Sequence, residues 1–231
     1  MHNIEIRQEI IDRVMARRGR INLFETLDPA RTAFIIIDMQ NTFCAEGAPA
    51  EVPTSRGIVP AINKLNPQLR TLGIPVVWVL HANTQHKGQS DWDLFYNHIV
   101  AGEVRARTLE SNAPQNQAVY SALEVDENDI VIVKNRYSAL IPGASSLERV
   151  LRSMGIDTLL IGGTKTNVCC ESTARDAMML DFKVTMLSDC CAALSDEEHR
   201  ASLETIVQQF GNVMTSDQAL ALLQESTKPA A

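Results

Sequence analysis

Five residues with reactive side chains fall at or just after the ends of predicted strands: Asp38, His81, Lys134, Cys169 and Asp189. In an open parallel sheet, ligands bind beyond the carboxyl ends of the strands, where the strand order reverses. Chemistry therefore belongs among these five. Cys169 stands out because it starts a predicted helix. Unpaired N–H groups and the positive end of the helix dipole favour thiolate there, the nucleophilic form. A small buried apolar cysteine is the plain alternative. Lys134 ends a buried strand and Asp38 follows the run FIII. Either charge is costly to bury alone, so a mutual pair explains both. The pattern leaves open whether that pair is structural or part of an active site.

Other candidates carry less. His81 and His86 stand five apart in a predicted loop, with no HExxH motif and no carboxylate two residues before His81, so no metal is expected. The run GGTKT (162–166) lacks the spacing of a phosphate loop. Cys190 and Cys191 read as core. Five cysteines, no CxxC and a charged N-terminus without an apolar stretch point to free thiols in a reducing cytoplasm. The net charge of −7 disfavours a nucleic-acid partner. The basic run Arg13–Arg20 reads as a solvated helix face or a subunit contact, with an anion site as the alternative. The longest apolar runs, AFIII and VVWVL, fall far short of the roughly 18–20 residues a membrane span needs.

The elements that must position these residues alternate along the chain. Strands are expected at 33–38, 74–80, 129–134, 157–163 and 183–189, with a short sixth at 212–215. Helices are expected at 4–18, 58–72, 145–155, 167–182, 196–211 and 216–225, and the tail QESTKPAA is expected to fray. The strands are continuous apolar runs separated by helices, which means a parallel sheet covered on both faces. The predicted fold is α/β: a three-layer, doubly wound, mostly parallel six-stranded sheet. Residues 81–129 form a long excursion, read as a lid or binding segment with short helices near 92–100 and 115–123.

Three segments together resemble the isochorismatase-like cysteine hydrolases. FIIIDMQNTF (34–43) is similar to that family's first-strand signature, KNRYSA (134–139) to the segment carrying its lysine, and GGTKTNVCCESTARDA (162–177) to its nucleophile segment. They occur in the family's order, and the resemblance covers roughly residues 30–220. It divides the chain into an N-terminal helical extension, 1–29, and a hydrolase domain, 30–231.

The resemblance implies roles residue by residue. Asp38 corresponds to the catalytic aspartate, Lys134 to the lysine and Cys169 to the nucleophile. It implies a cis peptide bond at Thr164–Lys165, aiming the Lys165 N–H together with the Cys169 N–H at a substrate oxygen. Lys165 stands where the family often has alanine, which leaves the backbone donor intact. Cys169 points to the amidase-like branch, which needs no cofactor, whereas the founding members cleave a vinyl ether and lack the cysteine. The segment LHANTQH after the second strand lacks the Asp-x-His metal motif of the nicotinamidase branch. The expected substrate is a small linear amide, carbamoyl or ureido compound, as in ureidoacrylate and N-carbamoylsarcosine hydrolases. Asn83, Trp92 and Tyr137 are the expected substrate contacts. A homo-oligomer, dimer or tetramer, is expected. The alternatives are a vinyl-ether hydrolase and a non-catalytic binding protein on the same fold.

Overall fold

The computed structural model describes residues 2–87 and 89–227. Six strands build one sheet: β1 (Thr32–Ile37), β2 (Val76–His81), β3 (Ile130–Lys134), β4 (Thr158–Thr164), β5 (Lys183–Ala192) and β6 (Asn212–Met214). Their spatial order is β3-β2-β1-β4-β5-β6, and all five pairings are parallel. The chain winds outward from β1 through β2 to β3, returns to β4 on the other side of β1, and winds outward again. Strand order thus reverses between β1 and β4, which places the ligand crevice beyond Ile37 and Thr164.

Seven helices of seven residues or more surround the sheet among the described residues: α1 (Gln8–Arg18), α2 (Val59–Thr71), α3 (Gly102–Glu110), α4 (Leu147–Ser153), α5 (Glu171–Met179), α6 (Asp196–Gln209) and α7 (Ser216–Ser226). Every side chain of β1 is buried. Ala33, Ile35 and Ile37 pack with Leu147, Leu151, Ala174 and Leu203 on one face, while Phe34 and Ile36 pack with Ile62, Leu69 and Leu223 on the other. Each large aliphatic buried this way stabilises the fold by roughly 1.5–3 kcal/mol relative to exposure. No helix of the described residues is long and apolar enough to cross a membrane.

Several elements differ from the sequence expectation, each for a visible reason. β3 is an edge strand with one open face: Val131 and Val133 are 53% and 54% exposed, while Ile132 and Lys134 are buried. The N-terminal helix begins at Gln8, not residue 4, because Ile4 and Ile6 alternate with exposed Asn3 and Glu5 along an extended stretch. β5 continues through Cys190 and Cys191, past Asp189. The excursion contains α3, which the sequence did not announce: GEVRARTLE has no apolar stripe and buries no residue. Its neighbours are an antiparallel ribbon pairing Gln85–His86 with Gln89–Ser90, and single turns at Phe95–Ile99 and Pro114–Gln117. At the C-terminus α7 persists through Ser226, so the first part of the expected frayed tail is helix; residues 228–231 lie outside the described residues.

Candidate active site

Asp38 follows β1 directly, with φ at 55°. This left-handed conformation costs a non-glycine residue on the order of 1–3 kcal/mol and bends the chain away from the strand line. Its N–H stays anchored on the Val79 carbonyl at 2.8 Å. Opposite, Gly163 near the end of β4 has φ at 116°, and a Cβ there would lie 2.0 Å from the Ile37 carbonyl oxygen. Only glycine lets the two strand ends approach so closely at the switch point.

Lys134 ends β3, two strands from β1, and its side chain spans the gap. Its ammonium makes three contacts: Asp38 Oδ2 at 2.9 Å, His81 Nδ1 at 3.3 Å and the Arg136 carbonyl at 3.0 Å. All three of its protons have an acceptor. Lys134 is 0% exposed and Asp38 1%. Burial works against the charged lysine, but Asp38, with help from Cys169, outweighs it and raises the Lys134 pKa above its ordinary value. The other carboxylate oxygen, Asp38 Oδ1, is buried with no hydrogen-bond partner.

His81 ends β2 between the two. Burial, and then the charge of Lys134, push it down to about 4. The ring is neutral at physiological pH, with Nδ1 accepting from Lys134 and Nε2–H donating to Asn83 Oδ1 at 2.7 Å.

Cys169 lies in the turn Thr166–Cys170 and is 7% exposed. Its thiol sits close enough to Asp38 and Lys134 to interact electrostatically with both. The sequence expectation of a favoured thiolate is corrected here. Burial raises the Cys169 pKa well above its ordinary value, the Asp38 charge adds to that, and Lys134 opposes it without winning. The regular helix α5 starts only at Glu171. The resting group is thus a thiol beside the Asp38 carboxylate, one oxygen of which has no hydrogen-bond partner. The Thr164–Lys165 peptide bond is cis. Among the described residues, the Lys165 N–H makes no hydrogen bond within the protein.

These groups form the floor of a cavity of about 200 Å³. Asp38, His81, Cys169 and Lys165 line it from the strand ends, and Trp92 and Tyr137 line it from above. Trp92 meets Tyr137 edge-on at 4.7 Å and stacks on Phe95 at 5.0 Å, while the Arg136 guanidinium sits 5.1 Å over the Trp92 ring. The structure thus brings together Asp38, Lys134, Cys169, Lys165, Trp92 and Tyr137.

Asn83, expected among the substrate contacts, lies behind the wall, with 7% exposure. Its Oδ1 accepts from His81 and from the Tyr96 hydroxyl, and its Nδ2 donates to Asp91 and to the Asn135 carbonyl. Asp189 is also elsewhere, holding the start of α7 by accepting the Ser216 N–H and hydroxyl at 2.7 and 2.6 Å. His86 is exposed on the ribbon. Sequence reasoning missed Phe43, Phe95 and Tyr96 as cavity residues. One signal was available: five of the chain's eleven Phe, Trp and Tyr residues line this cavity.

The family model of the isochorismatase domain matches residues 32–218. The chain belongs to the isochorismatase family. It is a hydrolase of that family, and its fold agrees with a solved cysteine hydrolase from Pseudomonas syringae pv. phaseolicola, with a TM-score of 0.74, 28% identity, and coverage of 90% of this chain and 98% of that one. Among curated relatives, a probable inactive nicotinamidase of Arabidopsis thaliana is 33% identical over 74% of this chain and 86% of its own. Enterobactin synthase component B of Escherichia coli is 32% identical over 84% of this chain; the match spans 64% of that protein's length. The ureidoacrylate amidohydrolase RutB of Methylobacterium radiotolerans is 30% identical over 80% of this chain and 76% of its own.

Proposed function

We propose that this isochorismatase-family member hydrolyses a C–N bond in a small amide, carbamoyl or ureido compound through a thioester on Cys169. The observation that carries the reading is a buried thiol beside the Asp38 carboxylate, whose Oδ1 has no hydrogen-bond partner while Oδ2 is tied to a fully satisfied Lys134. Asp38 accepts the thiol proton as the sulfur attacks the carbonyl carbon. Lys134 balances the negative charge shared by carboxylate and sulfur. The Lys165 and Cys169 N–H groups receive the developing oxyanion; a donor in this role is typically worth ~10²–10³ in rate. The C–N bond breaks as Asp38 returns the proton to the leaving nitrogen, so ammonia or an amine departs. Water, deprotonated by Asp38, then cleaves the thioester and regenerates the thiol. The kinship with RutB supports this substrate class.

A second reading is isochorismatase-type hydrolysis of a vinyl ether, which the kinship with enterobactin synthase component B supports. One experiment separates the two. Ammonia release is screened over small amides, carbamoyl compounds and ureido acids, with Cys169→Ala as the blank. Activity in the parent and none in the variant is expected. Turnover that survives Cys169→Ala overturns the cysteine mechanism.

A further inference from the structure

Thr166 opens the turn that carries Cys169, and it is held from outside the cavity by side chains that the reaction itself does not use. The Thr166 hydroxyl meets His199 Nδ1 at 2.8 Å, and the Thr166 carbonyl accepts the Ser202 hydroxyl at 3.2 Å. His199 and Ser202 stand three residues apart on α6 and so share one of its faces. The Ser188 backbone on β5 also faces the His199 ring. A hydroxyl both donates and accepts, so the Thr166–His199 bond forms with either ring tautomer. Thr166, His199 and Ser202 are 0%, 1% and 2% exposed, so water does not compete for these bonds.

His199 is braced in turn by the N-terminal segment. The His2 ring stacks on it with centroids 4.3 Å apart and planes inclined by 16°. His2 Nε2 accepts the Ala193 N–H at 3.0 Å, which leaves the ring proton on Nδ1, donated to Asp196 Oδ1 at 2.6 Å. His2 is thus fixed at both ring nitrogens, and it lies outside the residues that match the family, 32–218.

We infer that His199 is a positioning residue for the nucleophile turn and that the N-terminal segment, through His2, locks His199 in that pose. The inference rests on Cys169 being the nucleophile. Thr166 adjoins Lys165 and precedes Cys169 by three residues, so a shift of Thr166 moves sulfur and oxyanion donor together. Misplacement of about 1 Å at such a centre can cost about 10²-fold in rate.

The test compares His199→Phe, which keeps the stacked ring but loses the hydrogen-bonding nitrogen, with His199→Asn, which restores a hydrogen-bonding group near the Nδ1 position. Thr166→Val removes the same bond from its other end and decides the matter should His199→Phe not fold. Three readouts are taken: kcat, KM, and the rate at which iodoacetamide alkylates Cys169, located by mass spectrometry. His199→Phe and Thr166→Val are expected to lower kcat at least about tenfold with KM within about twofold, and to alter the alkylation rate to a similar degree. His199→Asn recovers most of the loss, and His2→Ala shows a smaller loss of the same kind. Equal behaviour of the Phe and Asn variants, or parent-like alkylation in His199→Phe and Thr166→Val, overturns the inference. If the parent releases no ammonia from any compound in the screen, the amidase reading fails, while the alkylation comparison still decides this one.

Discussion

Asp38, Lys134 and Cys169 stand at the ends of β1 and β3 and just beyond β4, on a sheet whose central strands have no exposed side chain. Trp92, Phe95 and Tyr96 hang from a segment built of a two-residue ribbon, single turns and one helix without a buried residue. The floor of the cavity is fixed by backbone ladders and apolar burial. The roof is tied down by side-chain bonds: Asn83 to Asp91, Arg136 to the Asp91 carbonyl, Arg107 to the Gly47 and Ala48 carbonyls, and Thr42 to Ser111. Groups that must hold each other within hydrogen-bond distance sit where the backbone cannot drift. Groups that set the cavity's shape sit where sequence changes disturb little else. The contrast predicts that floor substitutions damage chemistry, and stability too where they strand a buried charge, and that roof substitutions damage binding alone.

The largest effect belongs to the sulfur. Cys169→Ala is expected to lower kcat by at least about 10³-fold, as loss of a covalent nucleophile does, with the melting temperature little changed. Retained turnover on the same substrate would show that the floor acts without it.

Next comes the buried pair. Lys134→Met leaves the Asp38 carboxylate buried without its counter-charge, which costs about 3–5 kcal/mol. The urea midpoint of unfolding should drop accordingly, and activity should vanish with it. A stability change below about 1 kcal/mol would mean that Asp38 reaches water, which contradicts its burial.

Acid probes the floor and its support through two histidines. His81 and His199 are each held down to about 4 in the fold, against 6.5 ordinarily, chiefly by burial. The unfolded chain takes up these protons as pH falls below about 6.5, while the fold refuses them until about 4. Each histidine thus contributes stability that is fully present at pH 7 and is lost as pH falls from about 6.5 towards 4, on the order of 3 kcal/mol apiece. His199→Asn should lose less stability than the parent between pH 7 and pH 5 in urea titrations. Parallel curves would show that His199 is not the group titrating.

Much of the floor was legible in the chain and little of the roof. AFIII, VVWVL and DTLLIGG are continuous apolar runs, and such runs specify buried parallel strands whatever their tertiary partners. The strand ends then fixed where Asp38, Lys134 and Cys169 had to lie. What the chain does not show shares one cause: Asn83 lies behind the cavity wall, the Cys169 pKa is raised, and Asp189 holds the start of α7. Each depends on the neighbours of one side chain in three dimensions: His81 and Tyr96 around Asn83, apolar packing and Asp38 around Cys169, Ser216 beside Asp189. α3 was missed for a different reason. A helix with no buried face carries no periodic apolar signal to detect.

In the roof the expected effects are smaller and of another kind. Trp92→Ala removes a cavity wall that also stacks on Phe95 and supports Arg136. KM should rise about tenfold with kcat within about threefold, the signature of binding lost equally from ground and transition states. A fall in kcat with unchanged KM would place Trp92 in the chemistry and blur the division between the two layers.

The smallest effect comes from the roof's outer surface. Leu94, Ile99 and Val104 are 64%, 60% and 54% exposed, and they support no part of either core. Leu94→Ser and Ile99→Ser should each change stability by less than about 0.5 kcal/mol, as exposed substitutions usually do. That expectation holds only for a chain whose roof faces water. If either variant shifts the unfolding midpoint by more than this, and the shift grows with protein concentration, those side chains are covered in solution by a second copy. The roof would then be half of an interface.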